Sequence, residues 1–207
     1  MRVLLVHGLG RTPLSMLRLA RYLQRAGAGA SLFGYVPEVE RFDRIVERLQ
    51  RRMEELAEAG YAAVGHSLGG LLLRVATAGL GPGVRLPSHI VMLGTPNRSP
   101  RMARSVRRWL LYRMACGDAG QLLASPDRMA ALPVPCVPVT VIAGTRGLPF
   151  MRGQFRGEAN DGLVAASETR MDGREEYIEV PARHTFMMNH PQVRQVILTR
   201  CLQSPDS

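Results

Sequence analysis

The chain has 207 residues, 46% of them hydrophobic, the size and composition of one globular domain with a buried core. Its net charge of +10 rests on arginine alone: all 27 basic residues are arginines, which excludes a Schiff-base lysine for pyridoxal phosphate and the lysine of a GxxxxGKS/T phosphate loop. Cys116, Cys136 and Cys201 are widely spaced without a CxxC pair, and no two of the five histidines have the H-x3-H spacing of a zinc site, so no disulfide framework, metal or cofactor is expected.

The apolar run before His7 is too short for the core of a signal peptide, and no stretch approaches about 18 apolar residues, so a soluble cytoplasmic protein is expected. Val3 to Val6 reads as a strand buried on both faces. Pro13 then opens a helical stretch, Leu14 to Arg25, closed by Gly27 and Gly29. A second strand covers Ala30 to Val36. From Glu38 to Glu58, Phe42, Ile45, Val46, Leu49, Met53 and Leu56 fall at helical spacing opposite arginine and glutamate, an amphipathic helix. Tyr61 to Gly65 is a third strand with a helix, Gly69 to Thr77, directly behind it. Further strands follow at His89 to Gly94, Val137 to Ala143 and Tyr177 to Val180, and Pro191 starts a last helix through Leu202. Short strands alternating with helices give an α/β fold with a parallel sheet, read as a single domain over 1–207. Residues 97–135 form one long helical insertion between the fourth and fifth strands.

The third strand runs straight into Gly65-His66-Ser67-Leu68-Gly69-Gly70, a G-x-S-x-G between a strand and a helix. Roughly 0.1 such matches are expected by chance from this glycine and serine content, before any structural context is required. The tight turn strains the serine and leaves no room for side chains at the flanking positions, hence Gly65 and Gly69. A serine hydroxyl needs a base to take its proton and an acid to orient that base. His184 and His190 are candidate bases, and His190, beside Asn189 and Pro191 at a helix start, reads better as a cap-region residue. Asp161, in Asn160-Asp161-Gly162-Leu163-Val164, is the candidate acid, with Glu158 and Asp172 as alternatives. After the first strand, His7-Gly8-Leu9-Gly10 is a glycine-rich turn able to aim a backbone N–H at a developing oxyanion. His7 and His66 read as supports of the two glycine turns, and His89 as a strand-start residue.

With Leu93-Gly94-Thr95-Pro96 and the order Ser, Asp, His along the chain, these motifs make the sequence resemble the α/β-hydrolase superfamily over nearly its whole length. Within it the likeness is to small bacterial lipases, esterases and GPI inositol-deacylase-like proteins. The resemblance implies a near-minimal α/β-hydrolase fold of about six mostly parallel strands, helices on both faces and a short helical cap, 97–135. It implies Ser67 as nucleophile, His184 as general base then acid, Asp161 as its orienting carboxylate, and the Leu9 and Leu68 N–H groups as the oxyanion hole. His7, Gly8, Gly10, Gly65, His66 and Gly69 would support those motifs. The expected activity is hydrolysis of small-molecule or lipid carboxylic esters through an acyl-enzyme, with a thioesterase or acyltransferase using the same residues as an alternative.

Arg98 to Arg113 holds six arginines and no acid, and Met102, Val106, Trp109 and Leu110 recur there at helical spacing. A basic amphipathic helix of this kind suits an anionic lipid surface, or simply a solvated helix packed on the body. It also carries a rival reading from another class, a non-catalytic protein of the same fold that holds an anionic partner. Nucleic acid is not expected, since aromatic residues are 5% and no recognition motif is present.

Overall fold

A computed structural model describes residues 1–151, 153–171 and 173–202, the side chains of 111–113 excepted. Six strands form one sheet: β1 (Arg2–Val6), β2 (Gly29–Phe33), β3 (Tyr61–His66), β4 (Ile90–Leu93), β5 (Val139–Gly144) and β6 (Glu176–Val180). Their order is β2-β1-β3-β4-β5-β6, and every neighbouring pair is parallel. The four inner strands are almost wholly buried because both faces are covered, which is why they read as continuous apolar runs.

Alternation divides each strand between two cores. Leu4, Val6, Ala63, Ile90, Met92 and Val141 face α2 (Phe42–Ala57) and α3 (Leu68–Ala78). Val3, Leu5, Val64, Val91, Leu93 and Ile142 face α1 (Leu17–Arg25) and α8 (Pro191–Leu202). At about 1.5–3 kcal/mol per buried aliphatic side chain, these two layers dominate the free energy of folding. Among the described residues no helix is long and apolar enough to cross a membrane.

The elements differ from their expected bounds where tertiary contacts decide. Pro13–Met16 is a 3-10 turn leading into α1. β2 stops at Phe33, short of the expected Val36; at the next residue, Gly34, a Cβ would lie 2.9 Å from Pro13 Cγ. α2 starts at Phe42, where the Phe42 N–H donates to Asp118 Oδ2 at 3.2 Å.

The expected basic helix over Arg98 to Arg113 is corrected: it is two helices, α4 (Arg101–Val106) and α5 (Leu110–Leu123). Trp109 N–H donates to Val106 O at 2.9 Å, a tight turn that closes α4, and Trp109 itself is extended. The repeating apolar positions therefore do not share one face. Ala103 is buried and Met102 and Val106 half-buried, whereas Trp109 and Leu110 are 64% and 68% exposed. The side chain of Arg113 lies outside the described residues.

α5, kinked at Gly117, and α6 (Pro126–Ala130) complete the path from β4 to β5. Both ends of that path are held by one buried arginine of α3. Arg74 donates to Asn97 Oδ1 at 3.2 Å, to Leu132 O at 2.7 Å and to Pro133 O. After β5 come α7 (Ala166–Thr169), β6 and a 3-10 segment, His184–Asn189, that leads into α8.

Candidate active site

Because all six strands run the same way, their C-terminal ends lie along one edge of the sheet, where α/β folds place their ligands. His7 follows β1, Ser67 follows β3, Gly94 follows β4, Asp161 comes after β5 and His184 after β6.

Ser67 sits between β3 and α3 with φ 52° and ψ −120°, the left-handed side of backbone space that a serine rarely occupies. The fold over-determines it. A Cβ on Gly65 would lie 2.4 Å from Gly70 N, and one on Gly69 would lie 2.4 Å from Val6 O, so strand and helix close on each other at this turn. Ser67 N–H donates to Leu93 O at 2.8 Å, tying the elbow to β4.

His184 and Asp161 are brought together. His184 Nδ1 lies 2.6 Å from Asp161 Oδ2, and both residues are buried. The carboxylate can only accept, so Nδ1 carries the proton and Nε2 is left as the basic nitrogen. Asp161 is held in turn: Oδ1 accepts from Leu163 N–H at 3.0 Å and Val164 N–H at 2.8 Å, and its carbonyl accepts from His184 N–H at 2.9 Å. Thus the Asn160–Val164 turn orients the acid. Glu158, the alternative acid, is engaged elsewhere, 2.8 Å from Arg101 Nη2. Asp172 lies outside the described residues.

Ser67, His66, Leu9 and His184 line one cavity of about 270 Å³, whose other walls are mostly apolar: Pro96, Pro100, Met102, Ala103, Val106 and Leu123. The Ser67 hydroxyl has no hydrogen-bond partner among the described residues, so serine and histidine share the cavity without being joined. Likewise the N–H groups of Leu9 and Leu68 have no acceptor among the described residues. A larger, open hollow of about 670 Å³ runs along Arg101, Arg104, Gln154 and Arg156, and none of Ser67, His184 or Asp161 lines it.

The histidines of the two glycine turns are held by backbone partners. His7 Nδ1 donates to Gly8 O at 2.9 Å, and the His7 ring stacks on Tyr35 at 4.2 Å while the Tyr35 hydroxyl donates to His7 O at 2.7 Å. His66 Nε2 donates to His184 O at 2.9 Å, and burial, then the neighbouring His184, hold its pKa well below the usual imidazole range. Burial also lowers the pKa of His7. His89, just before β4, pairs with Thr140 Oγ1 at 2.8 Å, and His190 lies between the 3-10 segment and α8. Gly8 and Gly10 flank Leu9 in the turn, and Gly10 has φ 63°.

Two residues of the site escaped sequence reasoning. Tyr35 braces the first turn from a position that carries no motif. Gly94, φ 55°, is the other: a Cβ there would lie 2.9 Å from Asp161 Oδ2 and 3.1 Å from His184 Nδ1, so only glycine lets the chain leave β4 beneath the histidine and acid.

Solved structures share this arrangement of elements. The mature form of lipase BlEst2 from Bacillus licheniformis superposes with a TM-score of 0.77 at 16% identity, covering 96% of this chain and 90% of that one. An extracellular alpha/beta-hydrolase from a Paenibacillus species gives 0.64 at 12% identity, over 98% of this chain and 100% of that one. The chain has the α/β-hydrolase fold. The Vlm2 thioesterase domain is similar as well, with a TM-score of 0.60 at 23% identity over 96% and 92% of the two chains. No protein-family model and no curated protein sequence matches. In this α/β-hydrolase fold the sheet is wholly parallel, and the elements behind it are α1, α2, α3 and α8.

Proposed function

We propose that the chain, read as one α/β-hydrolase domain over 1–207, is a serine hydrolase of carboxylic esters. The observation that carries this is His184, held 2.6 Å from buried Asp161, lining the same apolar cavity as a serine in a strained strand-to-helix turn. In the reaction, Ser67 Oγ attacks the ester carbonyl and its proton passes to His184 Nε2. Asp161, accepting from Nδ1–H, keeps the imidazole in the required tautomer and favours the imidazolium that forms.

The carbonyl oxygen becomes an oxyanion, for which the N–H groups of Leu9 and Leu68 are the donors. Leu68 stands in the first turn of α3, where the helix dipole adds favourable potential. The tetrahedral intermediate collapses, His184 protonates the departing alkoxide, and the acyl group stays on Ser67. Water then attacks the acyl-enzyme with His184 again as base, releasing the acid. The acyl chain occupies the cavity walled by Met102, Ala103, Val106 and Leu123. Residues 97–135 act as the cap over it.

The rim of that cap carries the lipid contact. Trp109, Leu110 and Met114 are exposed beside exposed Arg104, Arg107 and Arg108, a set that suits an anionic lipid surface. The non-catalytic alternative would hold an anionic partner on these same exposed arginines; Arg101 is not among them, being engaged by Glu168 at 2.9 Å and Glu158 at 2.8 Å.

Hydrolysis of a butyryl ester by purified protein tests the reading. Ser67→Ala should lower kcat by at least about 10³-fold while the protein stays folded. Undiminished turnover in that variant would refute it.

A further inference from the structure

Arg11 stands at the mouth of the Ser67 cavity, two residues beyond Leu9, and lines its wall. It is partly buried, and its only hydrogen bond among the described residues runs from Nη2 to Thr185 O at 3.3 Å. Its guanidinium lies 5.9 Å from the centre of the Phe186 ring. No carboxylate pairs with it among the described residues, whereas Arg41, Arg44, Arg48, Arg52, Arg101, Arg128 and Arg200 all have acidic partners.

The cavity offers it no internal counter-ion. Asp161 is the acid nearest the chemistry, and its two oxygens are occupied by His184, Leu163 N–H and Val164 N–H. A guanidinium has five N–H donors, so most of those on Arg11 remain available. Its positive charge reaches inward, adding to the effects that depress the pKa of the buried His66.

The side on which Arg11 stands decides what it can recognise. His184 must protonate the leaving oxygen, so the alcohol half of an ester lies on the His184 side. Arg11 is fixed there by its bond to the very next residue, Thr185. Met102, Ala103 and Val106 give the cavity an apolar wall that suits the acyl half. Phe186 also lines a second hollow of about 270 Å³, shared by Arg183 and by Asp161, whose carboxylate is taken up by His184, Leu163 N–H and Val164 N–H. Arg11 and Arg183 thus stand beside His184, and the one acid there, Asp161, is already engaged.

We propose that Arg11 is a substrate-binding residue that selects esters whose alcohol half carries an anionic group, a phosphate or a carboxylate. This rests on the serine hydrolase reading for the orientation of the ester. A planar guanidinium pairs with either oxyanion through two parallel hydrogen bonds, and in a half-buried site such a pair is worth more than on an open surface.

Binding measured without turnover separates this proposal from the hydrolase reading. Ser67→Ala protein is titrated by calorimetry with three butyrate esters of one phenol: 4-carboxyphenyl, 4-(phosphonomethyl)phenyl and the neutral 4-carbamoylphenyl. The charged esters should bind about tenfold more tightly than the neutral one. In the Ser67→Ala/Arg11→Gln protein that preference should fall below about twofold, and Arg11→Lys should restore part of it. Whichever of the carboxylate and phosphonate esters binds more tightly identifies the anion. Equal binding of charged and neutral esters, no binding of the charged esters, or a preference that survives Arg11→Gln would each overturn the proposal. Turnover of the neutral ester by protein that retains Ser67 reports on the hydrolase reading separately.

Discussion

Ser67 occupies backbone geometry that costs about 1–3 kcal/mol and persists only because the packing of Gly65 and Gly69 leaves no alternative. Asp161 is equally constrained, accepting three hydrogen bonds in a buried turn. An Asp161→Asn substitution keeps the shape and an acceptor oxygen but removes the charge that stabilises the imidazolium. It should lower kcat for ester hydrolysis by about 10³- to 10⁴-fold with little change in Tm. A loss below tenfold would mean that another acid orients His184. At this scale the strand-to-helix elbow at Ser67 and the turn that holds Asp161 are legible from sequence, because G-x-S-x-G and asparagine-aspartate-glycine are local patterns. Tyr35 and Arg11 are not, since their roles arise from contacts with His7 and Thr185, distant in the chain.

Among the elements, the strands are legible as short apolar runs, α2 from its apolar periodicity and α8 from Pro191 at its start, whereas the one helix expected over Arg98 to Arg113 is two. Residue spacing continues across the break, and only the turn from Trp109 to Val106 and the tether of Arg101 to Glu168 reveal it. What the break creates is a short helix facing the cavity and an exposed apolar rim with its arginines. Trp109 is the chain's one tryptophan, so its emission should shift to the blue on adding anionic lipid vesicles, an effect weakened by salt and absent with neutral vesicles. An unshifted spectrum at low salt would exclude lipid docking through this rim.

The segment between β4 and β5 hangs on Arg74, whose guanidinium satisfies a buried acceptor at Asn97 and partly buried ones at Leu132 and Pro133. Arg74→Met strands them, at a cost of about 3 kcal/mol. For a chain of this size that lowers Tm by roughly 6–12 °C. A shift under 2 °C would show that the segment is anchored elsewhere.

For the molecule as a whole, three imidazoles, His7, His66 and His89, are held below their usual range, burial being the first cause in each. The sign of the effect follows from where protons bind. Below the ordinary value of 6.5 the unfolded chain takes up protons that the folded chain refuses. Their contribution is therefore complete above that pH and is lost as pH falls below it. Each such group gives up to about 1.4 kcal/mol per pH unit, or roughly 3–5 °C in Tm. His66→Gln, which keeps a donor for His184 O, should flatten the fall in Tm between pH 6.5 and 5.5, and an unchanged slope would exclude His66 as a source.

Every larger inference depends on whether Ser67 is an activated nucleophile. The most direct test is intact-mass measurement after exposure to a fluorophosphonate, with Ser67→Ala as control, because it requires no knowledge of the natural ester. One covalent adduct per chain, absent in Ser67→Ala, is the predicted result. A folded protein that takes up no adduct, with lipid or detergent present to displace the cap, would contradict the account.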